Sequence, residues 1–162
     1  MLQEGASTMS TTTHTRSIHV DAPVAKVFDH VKDPHHYTVM GDFHGSRLTG
    51  HMKAEFTDVT MTADGGLGST WSFTGTLFGF HQDATFTRDE YVPNERIVDR
   101  NADAGTAWTF TVEPDETGTT LGMGFAISSR VPLLAKAEDV VSWDVDRDLD
   151  TMLTLFKKAI ET

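Results

Sequence analysis

Hydrophobic and polar residues alternate with a period of two through most of this chain, and the period lengthens to about 3.6 near its end. The alternating stretches predict a first strand over residues 13–20. Six more strands are predicted over residues 53–62, 69–78, 80–91, 96–101, 107–113 and 119–128. Short turns rich in Gly, Asp, Asn and Pro separate these six, so neighbouring strands are expected to be antiparallel.

The closing segment, residues 132–160, predicts one long amphipathic helix. At 100° per residue, seven apolar side chains share one side of it: Val141, Val145, Leu149, Met152, Leu153, Phe156 and Ile160. Two short helices are predicted after the first strand, the second beginning at Asp33-Pro34 and running through Tyr37 and Met40. This order predicts an α+β domain in which a curved antiparallel sheet of about seven strands wraps around the C-terminal helix.

The composition fits a single domain. The chain has 162 residues, 38% of them hydrophobic, which is enough for one core. We expect residues 1–12, which are small and polar, to form a disordered leader, and residues 13–162 to form the domain. No apolar run approaches a membrane span and no secretory signal is visible, so a cytoplasmic protein without stable membrane insertion is predicted.

Charge and cysteine content exclude several classes of function. Thirteen basic and 24 acidic residues give a net charge of −11, and no stretch concentrates Lys and Arg, so nucleic-acid binding is not expected. The chain has no cysteine, which excludes disulfides and thiolate chemistry. Serine-hydrolase, phosphate-loop and dinucleotide motifs are absent, so no cofactor is expected. The sequence does not decide the oligomeric state, and a monomer and a homodimer are both consistent with it.

Several segments resemble a known superfamily. They are SIHVDAPVAKVFDHVKDPHHY (17–37), TWSFTGTLFGF (70–80), EYVPNERIVDR (90–100), WTFTVEPDETGTTLGMGF (108–125) and DLDTMLTLFKKAIE (148–161). Together they resemble the START-like, or Bet v 1-like, superfamily (SRPBCC), which includes polyketide cyclases and aromatases, birch-allergen-type plant proteins and lipid-transfer domains. The resemblance implies a helix-grip fold with an apolar cavity between the sheet and the helix.

The alternation of apolar and polar positions predicts which residues would line such a cavity. The inward strand positions are Trp71, Phe73, Phe86, Trp108, Phe110, Met123 and Phe125, and the helix adds Glu138, Val141, Ser142 and Val145. Each apolar side chain taken alone is better explained as part of an ordinary core. Together, these wide, flat side chains have more surface than one helical stripe can cover, and this favours a pocket for a small hydrophobic molecule.

Two charged residues are candidates for chemistry in the pocket. Glu138 lies on the buried side of the helix pattern, and its carboxylate would orient a ligand or act as a general base if desolvated; the alternative is a solvated position. Arg88 shares its strand face with Phe86, which allows a cation opposite Glu138 or an exposed strand arginine. Other helix carboxylates are interpreted as a solvated acidic face: Asp139, Asp144, Asp146, Asp148 and Asp150.

Five histidines lie between positions 30 and 51: His30, His35, His36, His44 and His51. Their spacing matches no ligand motif, so no metal site is predicted. The segment resembles the superfamily's lid over the cavity mouth, which implies ligand contacts by His35, His36 or Tyr37.

Two functions stay open: a carrier or sensor of a small hydrophobic ligand such as a lipid or polyketide, or a cyclase, aromatase or dehydratase that uses cavity acid/base groups. A partner-binding module is a third, with no exposed apolar stripe to support it.

Overall fold

The computed structural model describes the backbone of residues 10–44, 51–77, 80–129 and 132–162, and the side chains of residues 11–41, 54–75, 83–128 and 145–162. The strands in these ranges are β1 (Ser10–Val20), β2 (Asp42–His44), β3 (His51–Thr60), β4 (Thr70–Leu77), β5 (Phe80–Val92), β6 (Arg96–Asn101), β7 (Thr106–Pro114) and β8 (Thr119–Ser129). The helices are α1 (Val24–Val31), a 3-10 helix (Pro34–Met40) and α2 (Pro132–Glu161).

The strands form one antiparallel sheet in the order β1-β8-β7-β6-β5-β4-β3-β2. The first strand lies beside the last along its whole length, from Ser10 opposite Ser129 to Val20 opposite Thr119. Register shifts interrupt β3 between Thr57 and Thr60 and β5 between Arg88 and Glu90. Bulges of this kind bend a strand and increase its twist, so they help the sheet to curve around a helix.

This architecture confirms the predicted helix-grip α+β fold, with seven long strands, two short helical segments after β1 and a long C-terminal helix. Two differences from the prediction are larger than a shift of one or two residues at the end of a strand. β1 begins at Ser10, so residues 10–12 of the predicted leader are strand, because they pair with residues 127–129 of β8. The three-residue strand β2, which pairs with β3, lies where the sequence predicts no strand. Residues 1–9 lie outside the described part of the chain.

The core lies between the concave face of the sheet and the apolar stripe of α2. Six predicted stripe residues are at most 4% exposed: Val145, Leu149, Met152, Leu153, Phe156 and Ile160. Val141 belongs to the part of α2 whose side chains the structure does not describe. Full burial of such a side chain stabilises a fold by about 1.5–3 kcal/mol. These side chains hold the C-terminal half of the helix against the sheet.

Candidate functional site

The predicted ligand-binding residues point into the concave side of the sheet wherever their side chains are described. Nine of them are buried: Tyr37, Trp71, Phe73, Phe86, Trp108, Phe110, Met123, Phe125 and Val145. Burial confirms the inward faces that alternation predicted, whereas contact with a ligand stays a prediction. Glu138, Val141 and Ser142 lie in α2, but their side chains are outside the described ranges.

The inward aromatic side chains form two groups. In the first, which we call the Trp71 cluster (Tyr37, Phe56, Trp71, Phe73 and Phe86), Trp71 stacks on Phe86 with ring centroids 4.5 Å apart. Tyr37 meets the Trp71 indole edge-on at 5.0 Å. In the second, Trp108 on β7 lies 4.5 Å from Phe125 on β8. Stacked, tilted and edge-to-face pairs are all favourable aromatic geometries, so the concave face carries two groups of closely packed aromatic rings.

A buried ion pair lies beneath the Trp71 cluster. The guanidinium of Arg88 on β5 donates from Nε to Oδ1 of Asp99 at 2.8 Å and from Nη2 to Oδ2 at 3.1 Å. Both residues are only 1% exposed. The Trp71 indole N–H also donates to Asp99 Oδ2 at 2.8 Å. Burial lowers the pKa of Arg88, but the hydrogen bonds to Asp99 and the electrostatic effects of Tyr37, Asp99 and Tyr91 together outweigh it and raise the pKa above its usual value.

The remaining donors of Arg88 tie helices and a turn to the sheet. Nη1 donates to the carbonyl oxygens of Lys32 at 2.8 Å and Gly65 at 2.6 Å, and Nη2 also meets the Tyr37 hydroxyl at 3.5 Å. Tyr37 in turn donates to the carbonyl of Val31 at 2.7 Å. A guanidinium has five N–H donors, and these contacts use all of them. Gly65 can offer its carbonyl here because its φ of +70° suits glycine.

These contacts bear on the role predicted for Arg88. Its burial excludes the exposed alternative, and its geometry is that of a structural group, since no donor is left for a ligand. A catalytic role for Arg88 stays a prediction. The sequence did not point to Asp99 as its partner, because the two lie eleven residues apart on neighbouring strands that meet only through the β5–β6 register. Burial also raises the pKa of Tyr37 well above its usual value.

One flank of α2 is fixed to β1 by polar contacts. Arg16 donates from Nε and Nη2 to the two carboxylate oxygens of Asp150 at 2.9 and 3.0 Å. His14 Nδ1 lies 3.3 Å from Asp146 Oδ1, and Lys157 Nζ donates to the carbonyl of His19 at 2.8 Å. Asp146, Asp150 and Lys157 share one side of the helix, so this flank faces the edge strand.

The interpretation of the α2 carboxylates as one solvated face is wrong for Asp148. Its side chain is 0% exposed, beside the buried Leu149. At 100° per residue it lies half a turn away from the flank that faces β1, next to the apolar stripe. The pattern failed because Asp148 lies at the edge of the stripe, where periodicity does not decide burial. Asp144 and Asp139 are outside the described side chains.

Three of the five histidines between positions 30 and 51 have described side chains. The rings of His30 and His36 stack at 4.1 Å, and His30 meets Phe156 edge-on at 6.1 Å. His36 Nδ1 is 2.7 Å from the His30 carbonyl, and His35 Nδ1 is 2.7 Å from Asp33. Across the described residues, no group of three or more His, Asp or Glu side chains has an arrangement that would hold a metal ion.

Another polar cluster, which the sequence analysis missed, joins β1 to the β7–β8 turn. His19 lies between two carboxylates, with Nδ1 2.7 Å from Asp115 and Nε2 2.7 Å from Asp21. The hydrogen bond to Asp115, followed by that to Asp21, raises the pKa of His19. Asp115 lies 96 residues after His19 in the sequence, so only the fold brings it to the neighbouring His19 and Asp21.

A groove of about 490 Å³ lies on the convex face of the sheet. Hydroxyl side chains of β1 and β7 line it, and its floor is formed by Gly122, Gly124 and Ala126, which alternate with the inward residues of β8. This polar groove is on the opposite side of the sheet from the Trp71 cluster.

The glycine-rich turn between β3 and β4 is not a phosphate loop, because the Asp64 carboxylate itself accepts the Gly66 N–H at 2.9 Å.

An antiparallel sheet that grips a long C-terminal helix defines the helix-grip class of α+β domains. The sequence matches the family described as polyketide cyclase / dehydrase and lipid transport over residues 11–161. The chain therefore belongs to this family. A search of curated protein sequences finds no match. No helix in the described ranges is both long and apolar enough to cross a membrane.

Solved structures with the same fold include proteins of different kinds. Protein NE0264 from Nitrosomonas europaea has a TM-score of 0.63 and 13% identity, over 92% of this chain and 94% of that one. The di-domain ARO/CYC StfQ from the steffimycin biosynthetic pathway has a TM-score of 0.63 and 14% identity, over 93% of this chain and 51% of that one. Ara h 8.0201 has a TM-score of 0.57 and 12% identity, over 93% and 98%. At these identities the likeness shows the fold alone.

The buried ion pair generates a stability prediction. Asp99→Asn leaves the Arg88 guanidinium without a counter-charge in a buried site, so we expect the free energy of unfolding to fall by about 3–5 kcal/mol. Asp150→Asn is the matched control, because the Arg16–Asp150 pair has the same bidentate geometry but its side chains are 47% and 46% exposed. It should cost at most about 1 kcal/mol. Urea unfolding measures both, and equal losses would contradict the structural role of Asp99.

His30 generates a prediction for the pH dependence of stability. Its Nε2 is buried without a hydrogen-bond partner among the described residues. Burial, followed by the charge of His36, lowers its pKa from 6.5 to about 4. Between these values the unfolded chain binds more protons than the folded chain, so the folded state loses stability as pH falls from 6.5 towards 4.

We expect His30→Phe, which keeps a ring against Phe156, to remove part of this dependence. The measurement is urea unfolding of wild type and variant at several pH values between 7 and 4. The difference in unfolding free energy between the two proteins should change steadily across that interval, in favour of the variant at low pH. A difference that is constant with pH would show that His30 does not titrate in this way.

Proposed function

We propose that the protein binds a small hydrophobic molecule, flat or elongated, in an internal cavity between the concave face of the sheet and α2, and acts as a carrier or sensor. The observation that carries this proposal is the amount of inward aromatic surface. The Trp71 cluster and the Trp108–Phe125 pair occupy the concave face on β4, β5, β7 and β8. Ligand sites are typically lined by such side chains with few polar groups.

The packing of α2 supports the same proposal. Its described apolar stripe contacts β1 and β8, the 3-10 helix and α1. The rings of the Trp71 cluster, which include Tyr37 of the 3-10 helix, pack on one another. The described side chains of the concave face are buried by one another and by the 3-10 helix. The ligand would therefore lie beyond them, against the N-terminal half of α2 that carries Glu138, Val141 and Ser142.

A titration with 1-aminoanthracene, an uncharged probe that brightens in apolar surroundings, tests binding. We expect its emission to rise and the tryptophan emission to fall at micromolar probe concentration, because energy transfer requires the probe to lie near the indoles. With Trp108→Phe, the fall in tryptophan emission on binding should be smaller, while the emission of the probe should still rise. The absence of any change up to the solubility limit of the probe would contradict an internal ligand site.

A second function, cyclisation or dehydration of a polyketide chain, is favoured by the family description and by the naming of StfQ as an ARO/CYC protein. Such an enzyme needs a group that moves protons, and Glu138 is our proposal for it. Cytoplasmic location and a monomeric or homodimeric state are proposed with either function.

Glu138→Gln separates the two functions, because it keeps the shape of the side chain and removes its acid/base chemistry. In an enzyme, the rate of cyclised product formation from a poly-β-ketone chain should fall by about 10²–10⁴-fold, while 1-aminoanthracene still binds. In a carrier, only the affinity for ligands with a polar head should change. The control is Glu113→Gln on the exposed end of β7. A silent Glu138→Gln in both assays would remove Glu138 from the site.

A further inference from the structure

His19 is bonded to two carboxylates at once, one on each ring nitrogen. Nδ1 lies 2.7 Å from Asp115 Oδ2, and Nε2 lies 2.7 Å from Asp21 Oδ1. An ionised carboxylate accepts hydrogen bonds and cannot donate, whereas a neutral imidazole has one N–H and can donate to only one of the two. The arrangement therefore requires a ring that is protonated on both nitrogens and carries a positive charge. The proposed function makes no use of this group.

The two carboxylates are held differently. Asp115 is fixed by its own turn and strand, since it also accepts the Thr117 N–H at 3.1 Å and the Thr120 hydroxyl at 3.0 Å. Its side chain is 25% exposed. Asp21 is 72% exposed, and in the described part of the chain its carboxylate is bonded to His19 alone. When the ring loses one proton, the proton is therefore lost from Nε2, because water can solvate Asp21 while Asp115 stays in place.

A second donor for Nε2 is already in position. The hydroxyl of Thr117 lies 3.3 Å from this nitrogen. A neutral ring that keeps its proton on Nδ1 has a free acceptor at Nε2, and a hydroxyl can donate to it. Loss of the proton thus replaces Asp21 by Thr117 at the same atom. His19 stays bonded on both nitrogens, and Asp21 is set free.

Asp21 connects the end of β1 to the last turn of α2. Its backbone N–H donates to Glu161 Oε2 at 2.7 Å, and Lys157 Nζ bonds both to Glu161 at 2.7 Å and to the His19 carbonyl at 2.8 Å. The charged groups bonded into this cluster are three carboxylates, of Asp21, Asp115 and Glu161, and two cations, of His19 and Lys157. A neutral His19 leaves one cation to oppose three carboxylates. Repulsion between Asp21 and Glu161 then weakens the contact between their parts of the chain.

We propose that His19 is a pH-sensitive switch: its protonated ring holds Asp21 and ties the β1–α1 connection to the last turn of α2, and its deprotonated ring takes Thr117 in place of Asp21 and loosens this tie. The hydrogen bond to Asp115, followed by that to Asp21, raises the pKa of His19 above its usual value of 6.5. The stabilising effect of the protonated ring is therefore fully present below pH 6.5, and is lost as the pH rises through the raised pKa. The His19 side chain is 39% exposed, so the effect is local.

The test is an NMR titration of the ¹⁵N-labelled protein from well below to well above pH 6.5. Long-range ¹H–¹⁵N spectra of the histidine rings report which nitrogen carries a proton. We expect the midpoint of His19 to lie above 6.5 and its neutral ring to be protonated on Nδ1. The heteronuclear NOE of the Asp21 and Glu161 amides should fall through the same midpoint, because both become more mobile. A neutral ring protonated on Nε2, a midpoint at or below 6.5, or a constant NOE would each overturn the switch.

Two substitutions at exposed positions should move the His19 midpoint in opposite directions. Asp21→Asn removes a carboxylate that favours the protonated ring, so the midpoint should fall. Thr117→Val removes the donor that favours the neutral ring, so the midpoint should rise. The matched control is Glu116→Gln, which removes an exposed carboxylate from the same turn and should shift the midpoint less than Asp21→Asn. A midpoint that Thr117→Val lowers or leaves unchanged would overturn the exchange of partners. The wild-type titration needs no substitution, so it decides even if a variant fails to fold.

Discussion

The buried pair of Arg88 and Asp99 is the constraint on which one end of the molecule depends. Two charges removed from water are tolerated only when their hydrogen-bonding groups are satisfied. Here the satisfying groups come from separate parts of the chain: the carbonyls of Lys32 and Gly65 and the indole of Trp71. The end of α1, the β3–β4 turn and three strands must therefore be in place together. The pair therefore fixes the positions of these parts of the chain relative to one another.

The placement of α2 follows from two different kinds of interaction. Its apolar stripe sets which side faces the sheet, and this interaction is strong but not directional. The contacts of Asp146 and Asp150 with β1 are individually weak, since they are partly exposed. They are directional, however, and they fix how far the helix is rotated about its axis. Together, the two interactions determine that Asp148 is turned inwards while its acidic neighbours stay at the surface.

The fold could be predicted because its signals are local and repeated. Alternation located every long strand, and the helical period located the buried residues from Leu149 to Ile160. The site could be predicted only in part. Alternation gives the face on which Arg88 lies but not its partner, which the sheet register supplies from another strand. Asp148 was misplaced for a related reason: at the edge of a stripe, burial depends on what packs beside the helix, and this information is not local.

An apolar enclosure and a polar group inside it contribute differently to recognition. Apolar walls bind molecules roughly in proportion to the area they bury, so they discriminate weakly between ligands of similar size. A buried polar group discriminates strongly, because an unsuitable ligand leaves it unpaired or opposes its charge. Proteins that share one fold can therefore bind different ligands. In the described part of this chain, the buried charged groups Arg88, Asp99 and Asp148 all interact with other protein groups, so recognition by the described concave face would rest on its apolar area.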